Sequence, residues 1–350
     1  DNAHIALRTI RATGRKEAKL IDAVMKAGSL KNQRKLTETE RNQWIADVTR
    51  LGDAARGEVV FRRASLSCLK CHAIAGAGGR VGPDLISIGA SAPVDYLLDS
   101  LLLPNKAIKE NYHSLIVETS KGRVHTGIKI REANKELILR TAEDQEIRIP
   151  TKEIESKRQG TSLMPEGLTD SLTRQEVLDL TRFLSELGKV GPYQVTPERV
   201  VRRWRALTPS SQVTYQLRRQ GFATVARAGA WQNWESAYSQ VSGALPLQSL
   251  PQVKARLPFV KELVPLTILR AELEVSTPGK VQLKINETKG LSLYLNGDPV
   301  EVKKMTSISL QSGSSQLTFI VRMDQRTAPL RVGLSEAKGS KAQARIVTGK

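Results

Sequence analysis

The sequence predicts a multidomain α+β protein, and three observations carry that expectation. Apolar residues recur at helical spacing over residues 1–50 and again in the outer blocks of residues 51–190. Inside that second region, at about residues 114–158, the period drops to the two-residue alternation of strands. From Leu269 onward, short alternating runs return with glycine-bearing turns between them, as in a β-sandwich. The chain therefore reads as an opening helical segment (1–50), a helical domain with a β insertion (51–190) and a C-terminal domain (191–350).

In the opening segment, IALRTIRATGRKEAKLIDAVMKAG places Ile10, Leu20, Ile21 and Val24 at helical spacing, broken at Thr13-Gly14. LTETERNQWIADVTRLG follows with a capping box at Thr37 and Glu40 and a stripe of Trp44, Ile45, Val48 and Leu51. These helices look like the last turns of a stacked helical repeat, which cannot bury its own face alone. GDAARGEVVFRR and DYLLDSLLL continue as helices. SLIVETS, RVHTGIKIRE, KELILRT and QEIRIP then alternate, with turn signals at Lys121-Gly122, Ala133-Asn134 and Glu143-Asp144, which predicts an antiparallel meander. In LTRQEVLDLTRFLSELG, Thr173 and Glu176 form a capping box, Leu172 and Val177 a hydrophobic staple, and Gly188 a C-terminal stop. KVGPYQVTP reads as a linker, ERVVRRWRAL as a helix, and WQNWESAYSQVSGALPL as a place for strands. LRAELEVS, GKVQLKINE, LSLYLNG, SISLQSG, SQLTFIVRM and LRVGLSEA are the expected sandwich strands, and the run GKVQLKINETKGLSLYLNGDPVE resembles jelly-roll modules of the protective-antigen or galactose-binding type at the level of fold.

Both cysteines of the 350-residue chain fall in SLSCLKCHAI, three positions apart and followed at once by His72. A redox dithiol, half of a zinc site and a covalent haem would each use such a pair. A structural zinc site takes four protein ligands, mostly Cys and His; beyond this motif the chain offers only His4, His113 and His125. A thioredoxin-like dithiol belongs at a strand-to-helix junction, whereas the residues before Cys68 read as a helix. C-x-x-C-H is the attachment signature of c-type haem. Its chemistry needs two thiols for the two vinyl groups and an adjacent imidazole that reaches the iron.

Methionine is the usual second axial ligand of electron-transfer cytochromes and raises the potential. Of Met25, Met164, Met305 and Met323, two lie in strand-like segments and Met25 on an apolar helix face. Met164 instead sits in GTSLMPEGL, a proline-constrained loop just ahead of the final helix of the domain. It is the expected distal ligand, with His113 and His125 as the alternatives.

GDAARGEVVFRR, CLKCHAIAGAGGRVGPDLISIG, YLLDSLLLPNKAIKENYHS and SLMPEGL together resemble, in order, the haem-binding cytochrome c domain of planctomycetes and verrucomicrobia. The resemblance covers roughly residues 50–190. It implies a class I-like helical cytochrome with one haem c on Cys68 and Cys71, His72 proximal and Met164 distal. It also implies that the Pro83 carbonyl orients His72, a device that keeps a ligating histidine electron-rich. In that family the domain usually stands at the C-terminal end of large secreted dehydrogenase-like proteins. An exported, periplasmic location follows from haem c chemistry. No signal peptide is visible, so the chain is expected to be the C-terminal portion of a longer precursor.

Net charge is +5 over residues 1–50, +1 over 51–190 and +13 over 191–350. The basic C-terminal domain suits an acidic polysaccharide, an anionic surface or an acidic redox partner; an exported protein would not meet nucleic acid in function. No stretch is long and apolar enough to span a membrane. The function expected is one-electron transfer to and from a fused or separate sugar or alcohol dehydrogenase and a soluble acceptor. The chain itself is then a module of a larger oxidoreductase, not an enzyme alone. Two alternatives stand beside it: a carbohydrate-binding module with an accessory haem, and a haem enzyme or sensor with an open site.

Overall fold

Local capping chemistry sets the helical boundaries on which everything else is hung. The computed structural model describes residues 2–12, 18–28, 36–257, 260 and 262–348. The chain divides into two units, residues 1–195 and 196–350, and its architecture is mixed α+β with antiparallel sheets. The first unit opens with helices α1 (Asn2–Ala12), α2 (Ala18–Ala27) and α3 (Glu38–Leu51). The helix break expected at Thr13-Gly14 lies outside the described residues. Thr37 caps α3 reciprocally: its hydroxyl accepts from the Glu40 N–H, and the Glu40 carboxylate accepts from the Thr37 N–H at 2.8 Å. This exchange satisfies two of the orphan donors at a helix start.

Helix α4 (Ala54–Phe61) begins at Asp53, whose carboxylate caps the Arg56 N–H. It is followed by the single turn α5 (Cys68–Cys71), the two-residue strands β1 (Ala73–Ile74) and β2 (Ala77–Gly78), and helices α6 (Ile88–Ser91) and α7 (Val94–Leu102). The last helix of the unit, α8 (Arg174–Glu186), carries the second capping box, with Leu172 and Val177 fully buried beside it. Helices α4 and α8 cross at Gly57, where a Cβ would lie 2.0 Å from the Asp179 carbonyl oxygen. A glycine is needed because the two backbones approach too closely for any side chain. Phe61 and Phe183 meet beside this crossing with ring centroids 5.6 Å apart. Helix α3, assigned by its sequence to the opening segment, also packs here: Arg174 pairs with Asp47, and Arg41 makes a two-pronged bond to Asp99 of α7 at 2.8 Å.

Between α7 and α8 the chain builds the expected meander, with one strand more than the alternation suggested. The strands are β3 (His113–Thr119), β4 (Val124–Ala133), β5 (Glu136–Arg140), β6 (Glu146–Pro150) and β7 (Ile154–Ser162), in spatial order β6-β5-β4-β3-β7. Asn134 and Lys135 both adopt positive φ, 53° and 63°, the backbone of the two-residue hairpin that fits the right-handed strand twist. The segment TKEIESKRQG shows no apolar alternation and would pass for a connector. It is instead mostly strand β7, held by pairing with β3, because its exposed charged residues need no apolar alternation to join an edge. Only Thr151–Glu153 separates the edge strands β6 and β7, and so short a link forces the sheet to curl until its edges approach. Val117, Leu137, Leu139 and Ile149 fill the inside of the curl.

The second unit contains an eight-stranded and a three-stranded antiparallel sheet. In chain order its elements are β8 (Arg203–Leu207), α9 (Ser211–Gln220), α10 (Phe222–Ala226), β9 (Trp234–Tyr238), β10 (Val253–Arg256), β11 (Leu263–Thr277), β12 (Gly279–Ile285), β13 (Leu291–Leu295), β14 (Asp298–Val300), β15 (Met305–Leu310), β16 (Gly313–Arg322), β17 (Val332–Glu336) and β18 (Gln343–Ile346). ERVVRRWRAL, read as a helix, ends in strand β8: pairing with β9 and β11 places Trp204 in the core, fully buried, and overrides the local pattern. The two sheets share one core, to which Leu269, Leu273 and Phe319 contribute from the larger and Val281, Leu283 and Leu334 from the smaller. Helices α9 and α10 cover the other face of the larger sheet through Val213, Leu217 and Val225. Arg270 is buried there above Trp234, 4.1 Å from the ring centre, and donates to the carbonyls of Ala226 and Arg227. Burial, with the like charge of Arg205 adding to it and Glu272 opposing, pushes its guanidinium down to about 10.

Candidate functional site

A cavity of about 320 Å³ lies inside the first unit. It collects residues far apart in the chain: Cys68, Cys71 and His72 from α5 and its exit, Pro83 from the following loop, and Met164 from the loop between β7 and α8. All five residues singled out by the sequence reading line this one space. His113 and His125 do not line it; both sit on strands of the curled sheet. Among the described residues, no three His, Cys, Asp or Glu side chains are grouped as a metal cluster.

The Cys-x-x-Cys-His turn is held from below by the loop after it. Ser67 precedes α5 with φ 56°, and the His72 N–H closes the turn on the Cys68 carbonyl at 2.8 Å. Gly79 and Gly82 donate to the carbonyls of Leu69 and Cys71. The Asp84 carboxylate accepts from the N–H groups of Ala75, Gly76 and Ile86, which ties the small β1–β2 hairpin to the loop. In this frame the imidazole of His72 packs directly against Gly82: a Cβ there would stand 2.5 to 2.9 Å from three ring atoms. Only the missing side chain lets backbone and ring approach so closely.

His72 Nδ1 lies 2.9 Å from the Pro83 carbonyl oxygen. A carbonyl only accepts, so Nδ1 carries the proton and Nε2 is the nitrogen left with a lone pair. Burial lowers the imidazole below its ordinary value, against the opposing pull of that hydrogen bond, which favours the neutral ligand form. Burial also pushes the Cys68 thiol up to about 12 and raises Cys71, with the charge of Asp144 adding to the latter. Both thiols are unbridged. Held as thiols in apolar surroundings, they are poor thiolate nucleophiles.

The cavity walls are apolar. Phe61, Leu97, Leu101, Leu180 and Leu184 come from the helices, and Ile128 and Ala142 from the curled sheet. Lys109 is the one fixed charge among the described lining residues; Tyr112 lines the cavity too, and Tyr96 and Ser100 line it from α7. The sheet is tied to the cysteine loop by Arg140, which donates to the Arg80 carbonyl at 3.1 Å. Tyr96, Lys109 and Ile128 were not legible as site residues, because no spacing rule marks the wall of a pocket formed from distant segments.

Met164 is the donor supplied from the other end of the domain. Its N–H bonds the Ser162 hydroxyl at 3.1 Å, and Gly167 takes φ 72° just beyond it. Of the other methionines, Met305 is 46% exposed and Met323 packs in the second unit. One space thus joins two thiols, one imidazole nitrogen and one thioether, enclosed by aliphatic and aromatic walls. That donor set can attach a flat apolar macrocycle covalently and ligate a metal at its centre. Among the described residues no helix is long and apolar enough to cross a membrane. Scans against protein-family models and curated proteins find no match for this chain.

Proposed function

We propose that the first unit is a class I-like cytochrome c that holds one haem c and carries out one-electron transfer. A single observation supports this reading most: one apolar cavity gathers Cys68, Cys71, His72, Pro83 and Met164, drawn from both ends of residues 68–164. When bound, haem c supplies the one-electron couple. In this reading Cys68 and Cys71 would hold the haem through thioether links, and His72, through Nε2, and Met164, through its sulfur, would ligate its iron. The Pro83 carbonyl accepts a hydrogen bond from the Nδ1–H and so keeps the imidazole oriented and electron-rich. The aliphatic walls exclude water, which limits the solvent rearrangement that accompanies a change of charge.

The finer fold belongs to the same proposal. The two facing sheets of the second unit, joined through one core, support a β-sandwich of jelly-roll type. Its net charge of +13 over residues 191–350 suits contact with an acidic polysaccharide, an anionic surface or an acidic redox partner. Haem c attachment entails export to the periplasm, where electrons would come from a fused or partner dehydrogenase and leave to a soluble acceptor.

The test is covalent attachment. The chain should be exported from a cell that matures c-type cytochromes, denatured, and extracted with acidified organic solvent. Haem should stay on the polypeptide, and changing Cys68 and Cys71 to Ser together should release it. Tight haem retention by the double variant, or no haem on the parent, refutes the proposal.

A further inference from the structure

The loop that carries Met164 is fastened at two points to the end of helix α7. The carboxamide of Asn105 accepts from the Ser162 N–H at 3.0 Å through Oδ1 and donates through Nδ2 to the Glu166 carboxylate at 2.6 Å. Ser162 and Glu166 stand two residues either side of Met164. One amide therefore spans the whole loop, with its acceptor on one shoulder and its donor on the other. Ser162 extends the arrangement inward, since its hydroxyl accepts from the Met164 N–H.

Asn105 is itself held in place. It follows Pro104, which lines the cavity. Beside it, Lys106 reaches Asp99 at 2.6 Å, and its N–H bonds the Leu103 carbonyl. Asp99 is also gripped by Arg41, so the turn at residues 103–106 is fixed from α3 and α7 together. A third tie joins the same two segments, from the Thr169 hydroxyl to the Leu101 carbonyl at 3.4 Å. The loop is thus referenced to the helical frame as well as to the sheet it leaves.

From this geometry we infer that Asn105 is a positioning residue for Met164, acting without touching it. The inference rests on the cytochrome reading above, in which Met164 is the distal ligand. A sulfur that must stay on the metal through both oxidation states needs a loop that does not swing away. Where the loop opens, an external base can take the sixth position; where the clasp holds, it cannot. The bond to Glu166 has a charged acceptor and is the stronger of the two.

The experiment uses the full chain carrying covalent haem, in the ferric state, titrated with imidazole. The weak absorption at the red end of the spectrum, characteristic of sulfur-ligated ferric iron, reports Met164. Asn105→Ala removes both bonds and should tighten imidazole binding about tenfold, with a weaker red-end band. Covalent haem content should stay at the parental level, as a merely structural defect would not allow. Glu166→Gln keeps a neutral acceptor for the Asn105 amide and should fall between the parent and Glu166→Ala, which should shift in the direction of Asn105→Ala. If Asn105→Ala fails to accumulate, Glu166→Ala carries the test. Unchanged imidazole affinity in these variants, while Met164→Ala raises it, overturns the inference and leaves the cytochrome reading standing. A parent chain without covalent haem overturns both.

Discussion

Gly57→Ala sets two effects of opposite sign against each other. Alanine in place of glycine inside a helix stabilises it by about 1 kcal/mol through backbone entropy. At this position, however, the added Cβ would stand 2.0 Å from the Asp179 carbonyl oxygen, 2.6 Å from its carbon and 2.7 Å from the Phe183 Cβ. Two of the three are backbone atoms of α8, which no rotamer change can move. The helices must part by about 1 Å, and a gap of that size forfeits roughly half the dispersion energy of each affected contact. The contacts at stake include the Phe61–Phe183 pair. Overpacking of this kind costs about 1–3 kcal/mol and occasionally more. With two backbone clashes the upper part of that range applies, which leaves a net loss of about 2 kcal/mol after the propensity gain. Amide hydrogen exchange read peptide by peptide isolates the first unit from the second. Protection over residues 54–61 and 174–186 should fall about thirtyfold in the variant, as that free energy implies. A rise in protection would show that propensity wins and that the helix crossing has room to spare.

Three further outcomes are expected. Met164→Ala should lower the reduction potential of the haem-loaded chain and admit cyanide or carbon monoxide, whereas His113→Ala and His125→Ala should alter neither; a spectrum unchanged in the first variant returns the histidines to contention. Asp47 is held at about 2, below its ordinary 3.8, by hydrogen bonds from Gln43 and Arg50, with Arg174 adding to them. A depressed carboxyl stabilises the fold above its unfolded value and loses that contribution as pH falls through its folded one. The thermal midpoint of the first unit should therefore drop between about pH 4 and pH 2, and Asp47→Asn should flatten that slope. Replacing residues 116–158 with a short glycine-serine linker removes Ile128 and Ala142 from the cavity wall. Covalent haem should survive, because the cysteine turn lies outside the cut, while Met164 ligation weakens; a parental spectrum and potential would show that the sheet is dispensable to the site.

What could be read from the sequence is what local chemistry dictates. Thr37 with Glu40 and Thr173 with Glu176 mark helix starts because both halves of each capping box lie within one turn. The turns at Gly122, Asn134 and Asp144 were legible because positive φ restricts the residue types that tolerate it. Cysteine, histidine and methionine stood out because few other residues can attach or ligate. Strands β7 and β8 were not legible in the same way. β7 is charged and exposed, and β8 reads as helix; each is held by partners distant in sequence. Asn105 escaped notice for a related reason, since nothing in LLLPNKAI shows that its two partners lie at Ser162 and Glu166.

The register of the curled sheet bears on how the site is assembled. His113 at the start of β3 and Ser162 at the end of β7 are paired neighbours. The fifty-residue excursion between them therefore leaves and rejoins the helical frame at almost one point. Once β3 and β7 are zipped, the chain from His72 to Met164 behaves as a much shorter tether, so closing it around a ligand costs correspondingly less loop entropy. The sheet acts as a clip across its own base. It allows a long segment to sit between His72 and Met164 without keeping them apart.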